Sequence, residues 1–149
     1  MKALVQRVSQ ASVSVNDKIV GRIGSGLVVF LGVAQGDTKE DAVYLANKVI
    51  NLRIFADESS KFSLSALDTK ADILIVSQFT LLADTRKGRR PDFTAAAPPD
   101  LAKELYEFFV EQVRTTGLKV ETGIFQEHML VEIHNDGPVT ILLHSKERK

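Results

Sequence analysis

Cysteine is absent from the 149 residues, which excludes disulfides and every reaction that runs through a thiolate, and suits a reducing compartment. No stretch approaches the roughly 18 apolar residues of a membrane span. The opening Met1-Lys2-Ala3-Leu4-Val5-Gln6-Arg7 turns polar too early for a secretory apolar region. A cytoplasmic location without a membrane partner is therefore expected. Neither sign of charge is in excess: Lys plus Arg and Asp plus Glu both total 19, so no global positive field marks a general nucleic-acid binder. DNA is not expected as a partner, and any RNA contact must be local. Aromatics are scarce at 7%, but 44% hydrophobic and 26% charged residues are the proportions of an ordinary globular protein. Repeats, linkers and low-complexity segments are missing, and the length fits one core, so residues 1–149 are expected to form a single domain.

The first third is rich in β-formers. Segments Ala3 to Val8, Ala11 to Val15, Ile19 to Ile23 and Leu27 to Val33 are separated by Asn16-Asp17-Lys18 and Gly24-Ser25-Gly26, which predicts an antiparallel meander. Asp37 or Thr38 can then cap a helix whose apolar residues Ala42, Leu45, Ala46, Val49 and Ile50 follow a 3.6-residue period. A short strand at Arg53 to Phe55 and a turn at Asp57 to Ser60 precede a long apolar strand, Ile73 to Leu82. Its start is too continuous for a half-exposed position and is placed centrally in the sheet. Pro98-Pro99-Asp100 opens a second helix carrying Leu101, Leu105, Phe108, Phe109 and Val113, with Gly117 as its stop. Strands follow near Leu118 to Thr122, Met129 to Ile133 and Val139 to Leu143, with Asn135-Asp136-Gly137-Pro138 between the last two.

Several chemistries can be tested against these residues. A serine triad could be nominated from Ser77, His134 or His144, and Asp136, but Val76-Ser77-Gln78 has no G-x-S-x-G elbow. His128, Glu132 and His134 would share one face of a regular strand and could offer metal ligands, with His144 as a fourth. No H-E-x-x-H spacing occurs, however, and polar residues along one strand face ordinarily form a solvated surface. No metal and no cofactor are expected. Arg86, Lys87, Arg89 and Arg90 place four cations in five residues, enough for two or three backbone phosphates, and equally an ordinary surface loop. Gly137-Pro138 between apolar strands could be a plain hairpin turn or could hold a cis peptide bond that aims carbonyls at a ligand.

Two segments taken together, Ser77-Gln78-Phe79-Thr80 and Asn135-Asp136-Gly137-Pro138-Val139-Thr140, resemble the paired signature motifs of the D-aminoacyl-tRNA deacylase family. The resemblance runs the whole length, through Gln6-Arg7-Val8, Leu31-Gly32-Val33, Leu52-Arg53-Ile54-Phe55, Lys87-Gly88-Arg89-Arg90-Pro91 and Lys119-Val120-Glu121-Thr122-Gly123. It implies an α+β fold in which curled antiparallel and mixed sheets form a partly closed barrel with two main helices, paired as a homodimer with active sites at the interface. It also implies an editing hydrolase of translation quality control that cleaves D-aminoacyl-tRNA. Ser77, Gln78, Phe79 and Thr80 would form the catalytic pocket for the terminal adenosine and aminoacyl group. Gly137 and Pro138 would enter from the other subunit as a chiral filter, Arg7 would orient them, and Met129 would lie beside the pocket. Arg86, Lys87, Arg89 and Arg90 are the tRNA-contact candidates. The chain departs from the family pattern at Gln126-Glu127, where small residues are usual, and at His144, where aspartate is frequent.

The substrate implied is an activated ester whose vicinal 2′-hydroxyl can assist attack, so the protein need only orient the ester and water and stabilise the oxyanion, with backbone N–H groups near Phe79 and Thr80 as donors. On this reading Thr80 is a positioning hydroxyl; a threonine nucleophile is the rival. A rigid Gly137-Pro138 segment beside the α-carbon would exclude L side chains and leave glycyl-tRNA open to cleavage. A non-enzymatic nucleic-acid-binding protein of the same fold is the alternative from another class.

Overall fold

The structure is a computed structural model, and residues 1–147 are described. Strand β1 (Lys2–Val15) organises the sheet. Along one edge it pairs first with β3 (Gly26–Gly32), then with β2 (Lys18–Ile23), both antiparallel; β8 (Leu130–His144) runs antiparallel along the other edge. Strand β6 (Asp72–Ser77) lies parallel to β3, and β7 (Val120–Thr122) parallel to β6. The order is β2-β1-β3-β6-β7, with β8 on the far side of β1. Because β2 also packs against β6 and β7, the mixed sheet curls into a nearly closed barrel. Two short strands, β4 (Phe55–Ala56) and β5 (Phe62–Leu64), pair separately.

The break that the sequence pattern suggested between Val8 and Ala11 is an irregularity inside one strand. Ala3 and Val5 face one core; Val8, Ala11 and Val13 face the other, so the parity of inward residues switches near Ser9 and Gln10. A strand with period two can change parity only by an extra residue, which also bends it. The turn after β1 holds Asn16 and Asp17 at φ 49° and 64°, the left-handed pair a tight hairpin needs.

Helices α1 (Lys39–Asn51) and α3 (Pro99–Arg114) are the two expected, and α2 (Ala66–Thr69) adds one turn that no periodicity could mark. The outer core joins Leu45, Val49, Phe109 and Val113 to Val5, Val29, Leu31 and Ile75. The inner core, within the curl, holds Val13, Ile23, Val28, Leu74 and Val76. With both faces buried, β6 occupies the central place its apolar run predicts. The Tyr106 hydroxyl donates to Ile75 O at 2.7 Å, tying α3 to β6; burial raises its pKa above the usual phenol range.

Three expectations need correction. The first third is not a meander: Gly24-Ser25-Gly26 joins β2 to β3, which both pair with β1 and not with each other. The apolar run Ile73 to Leu82 is not one strand: β6 ends at Ser77 and Phe79–Leu82 form a 3-10 helix. The two C-terminal strands are one strand, β8, so Asn135 to Pro138 is not a hairpin turn but a swelling within it.

Asp37, an expected capping candidate, does something else. Thr38 is the cap, with the Asp41 carboxylate accepting its N–H at 2.9 Å. The buried Asp37 carboxylate instead lies 2.7 Å from the Met1 ammonium, which also donates to Ser145 Oγ at 3.0 Å. Both charges are fully shielded from solvent, so removing the Asp37 carboxylate leaves the buried ammonium without that counter-charge. Asp37→Ala is expected to lower unfolding free energy by about 3 to 5 kcal/mol, read as a shift in the urea midpoint.

Candidate functional site

At the end of β6 the chain stops pairing and tightens. Gln78 N–H still donates to Leu31 O at 2.8 Å, but Leu81 N–H returns to Gln78 O and Ala83 N–H to Thr80 O. The turn fits against β3 because residue 32 is glycine: a Cβ there would lie 2.6 Å from Leu82 Cδ2 and 3.0 Å from Gln78 O. Ser77, Gln78 and Phe79 thereby form one wall of a cleft of about 740 Å³. Phe93, Ala96 to Pro99 and Ala102 form a second wall, and Phe125 to Met129 a third. Phe79 is 55% exposed and stands edge-on to Phe93, with centroids 5.0 Å apart and planes at 71°, an apolar platform at the mouth. Thr80 is exposed beside it, its hydroxyl accepting a hydrogen bond from the Gln78 amide.

The structure thus brings Ser77, Gln78, Phe79, Thr80 and Met129 into one neighbourhood. Phe93, the Pro98-Pro99 entry to α3 and Phe125 were not among the expected site residues. Met129 and the departure at Gln126-Glu127 pointed to that third wall, and His128 was weighed only as a metal ligand.

Gly137 and Pro138 lie elsewhere. In the β1–β8 ladder Gln6 is level with Thr140 and Val8 with Asn135, so the four residues 136 to 139 face Arg7 alone. Asn135 stitches this bulge internally: its Oδ1 accepts Val139 N–H at 3.0 Å and its Nδ2 donates to Thr140 Oγ1 at 2.9 Å. Arg7 fixes it from beneath, donating from Nε to Asp136 O at 3.0 Å and from Nη1 to Ile54 O at 2.8 Å, with its guanidinium 5.3 Å above the Phe62 ring. The Gly137–Pro138 peptide is cis, and both residues are exposed. Gly137 sits at φ +134°, where a Cβ would also lie 3.0 Å from Arg7 Nη2. Arg7 is level with Leu27 and Ser77 with Leu31, four residues apart on β3 or about 13 Å along the strand. One chain does not bring the two motifs together.

The other candidates separate as well. His128 lines the cleft, whereas Glu132 and His134 line a different groove with Arg22 and Lys119, and His134 contacts Gln10 at 3.3 Å. Asp136 belongs to the bulge, so no Ser77–His134–Asp136 relay forms. His144 is level with Lys2; partial burial, then the Met1 ammonium and Lys2, lower its pKa. Among the described residues, no three His, Asp or Glu side chains gather as a metal site.

The cationic loop is a pinched structure. Asp84 and Asp92 exchange backbone hydrogen bonds of 2.8 and 2.9 Å at its neck. Arg86 grips Asp84 through two bonds of 2.9 and 2.7 Å, and this contact holds the Asp84 carboxyl down to about 2. Arg86 is therefore engaged, while Lys87, Arg89 and Arg90 are exposed at the tip.

Arg7→Met is expected to leave the carbonyls of Ile54 and Asp136 without their donor. Stability should fall by about 1 to 3 kcal/mol, and the Val139 amide should exchange with solvent faster than in the parent chain.

The family profile described as D-Tyr-tRNA(Tyr) deacylase matches residues 4–144. Proteins named D-aminoacyl-tRNA deacylase from Desulforamulus reducens and Fervidobacterium nodosum are each 59% identical over 147 residues, covering 99% of this chain and 99% of their own. A solved structure described as c-Myc DNA Unwinding Element Binding Protein superposes with a TM-score of 0.91 at 45% identity, over 97% of this chain and 98% of that one. A probable eukaryotic D-amino acid tRNA deacylase shares the fold, with a TM-score of 0.84 at 22% identity over 95% and 97% of the two chains. The chain belongs to the D-Tyr-tRNA(Tyr) deacylase family of hydrolases.

Proposed function

We propose that the chain hydrolyses the ester of D-aminoacyl-tRNA to D-amino acid and tRNA, acting as one deacylase domain in the cytoplasm. The observation that carries this is the place of Ser77 to Phe79 on the wall of an apolar cleft, in a chain 59% identical over its length to proteins of that name. A cleft of this size, with an aromatic platform and few polar groups, suits a terminal adenosine and its aminoacyl ester.

In the mechanism we favour, the protein orients and the substrate assists. The Phe79 and Thr80 amides begin the 3-10 helix, where no earlier turn supplies them with a helical acceptor, so they are suited to donate to the developing oxyanion. The tRNA 2′-hydroxyl supplies the vicinal polar group. Thr80 is the positioning residue: its hydroxyl contact is an amide donor, which cannot remove the proton a nucleophile must lose. The distance of Gly137–Pro138 from the cleft of its own chain, and its exposure, support a homodimer in which that segment reaches the partner's cleft. There it would fill the space an L side chain needs, while D side chains and glycine pass.

Metal-free protein is expected to cleave D-tyrosyl-tRNA and glycyl-tRNA and to spare L-tyrosyl-tRNA. Pro138→Ala should widen the filter and narrow the D/L ratio. Thr80→Ala should keep substantial single-turnover cleavage; complete loss would place the threonine nucleophile first.

Lys87, Arg89 and Arg90 are proposed as phosphate contacts, with Arg86 held out of service by Asp84. Asp84→Asn should release Arg86 and steepen the fall of log affinity with log salt by about 0.7 to 0.9 for tRNA binding. A slope unchanged by the substitution would remove this assignment.

A second reading has one observation in its favour: the solved structure at 45% identity is described as a DNA unwinding element binding protein. Duplex DNA bound by this chain as tightly as aminoacyl-tRNA, at equal salt, would favour that reading.

A further inference from the structure

The Gly137–Pro138 segment has little packing to hold it. Asp136, Gly137 and Pro138 are exposed, and of the four residues opposite Arg7 only Val139 enters the core. A segment with so few buried contacts keeps its shape through hydrogen bonds, and these reach it from two sides. Arg7 holds the incoming half at Asp136 O. Held there alone, the segment could still rock about that carbonyl.

Side-chain amides hold the outgoing half. A backbone N–H can only donate, so the Asn135 oxygen must face Val139 N, at 3.0 Å, and the Asn135 nitrogen is left to donate to Thr140 Oγ1, at 2.9 Å. Gln6 Nε2, from β1, donates to the same hydroxyl oxygen at 3.1 Å. A hydroxyl has two acceptor sites, and here both are taken. Asn135 therefore cannot turn without unpairing Val139 and Thr140 together. Gln6 and Thr140 are level in the β1–β8 ladder, so the network is footed where regular pairing resumes. The segment also closes tightly over this end: a Cβ on Gly137 would lie 2.7 Å from Val139 Cγ2 and 3.1 Å from Val139 N. A shift of Val139 is transmitted to Gly137 across that contact.

We infer that Asn135, Thr140 and Gln6 are positioning residues for stereochemical selection, their network setting how firmly Gly137 and Pro138 stand where an L side chain would go. This rests on the deacylase reading, in which the segment occupies space in a partner's cleft. A barrier of that kind selects only as strongly as it resists displacement, because an L substrate is accepted at the cost of moving the barrier aside. Loosening the outgoing half lowers that cost for L substrates. A D substrate does not press on the barrier and gains nothing. The three side chains act through the backbone of residues 137 to 139.

The test is single-turnover cleavage of D- and L-tyrosyl-tRNA by the full chain and four variants, each rate normalised to the folded fraction measured by circular dichroism. Asn135→Leu keeps the shape of the side chain without its hydrogen bonds, and Thr140→Val leaves both amides without an acceptor. Each should narrow the D/L ratio about tenfold, chiefly by raising the L rate, as the loss of one or two hydrogen bonds implies. Asn135→Asp still accepts Val139 N–H, and the Thr140 hydroxyl can rotate to donate to it; Thr140→Ser keeps the shared oxygen. These two should retain most of the parent's ratio. A gain of activity toward the excluded isomer is something that a loss of folded protein cannot produce. Hydrogen exchange at the Val139 amide, faster in Asn135→Leu and Thr140→Val than in the parent or Asn135→Asp, reads the network apart from activity. Equal falls in both rates, an unchanged ratio in Asn135→Leu and Thr140→Val, or a ratio that moves as far in Asn135→Asp as in Asn135→Leu overturns the inference. A parent protein that cleaves neither ester, while Val139 exchange follows this order, overturns the deacylase reading instead.

Discussion

The six-stranded sheet is hung on the backbone of β1. A strand has two hydrogen-bonding edges, and here one edge serves β8 throughout while the other is divided between β3 and β2. Fourteen residues cannot serve three partners and remain straight, since β2 and β3 leave the same edge in succession and must diverge. The parity switch near Ser9 is where the strand yields. It keeps Val13 and Val8 on one interior side while the strand turns, and the curl that follows makes an inner core distinct from the helix-covered outer one.

That architecture also separates the two signature segments. Ser77 to Thr80 lie where β6 runs out of partners, at the level of Leu31, and Gly137–Pro138 lie opposite Arg7, at the level of Leu27. Each is fixed by different means. The first is a tight helical turn seated on Gly32; the second is a swelling stitched by Asn135 and Arg7. Neither depends on the other's conformation within the chain, which is the arrangement expected if each belongs to a different composite cleft.

The long helices were legible because Ala42, Leu45, Ala46, Val49 and Ile50 on α1, and Leu105, Phe109 and Val113 on α3, are spaced by helical turns. The hairpin at Asn16-Asp17 was legible from turn chemistry. What period two could not reveal was continuity: β1 and β8 each contain an irregularity that imitates a strand boundary. The run Ile73 to Leu82 misled for the opposite reason, since Phe79, Leu81 and Leu82 are apolar and the end of pairing at Ser77 is decided by what β3 offers. Of the expected site residues, Ser77 to Phe79 and Met129 line the cleft with Thr80 beside them, whereas Arg7, Gly137 and Pro138 form a separate bulge. Phe93 and Phe125 were not legible as cleft walls, because a loop without periodicity announces its partners only once folded.

The bulge in β8 has a consequence for the molecule in a crowded solution. Among the described residues, the outer edge of β8 has no strand laid against it, and fifteen residues of open ladder would offer a template to any unfolded chain nearby. The four residues opposite Arg7 break that template into two short stretches of differing direction, and Pro138 contributes no amide hydrogen at all. The feature that presents Gly137 and Pro138 to solvent therefore also guards the sheet against indiscriminate lengthening, a reason for colloidal health quite apart from catalysis.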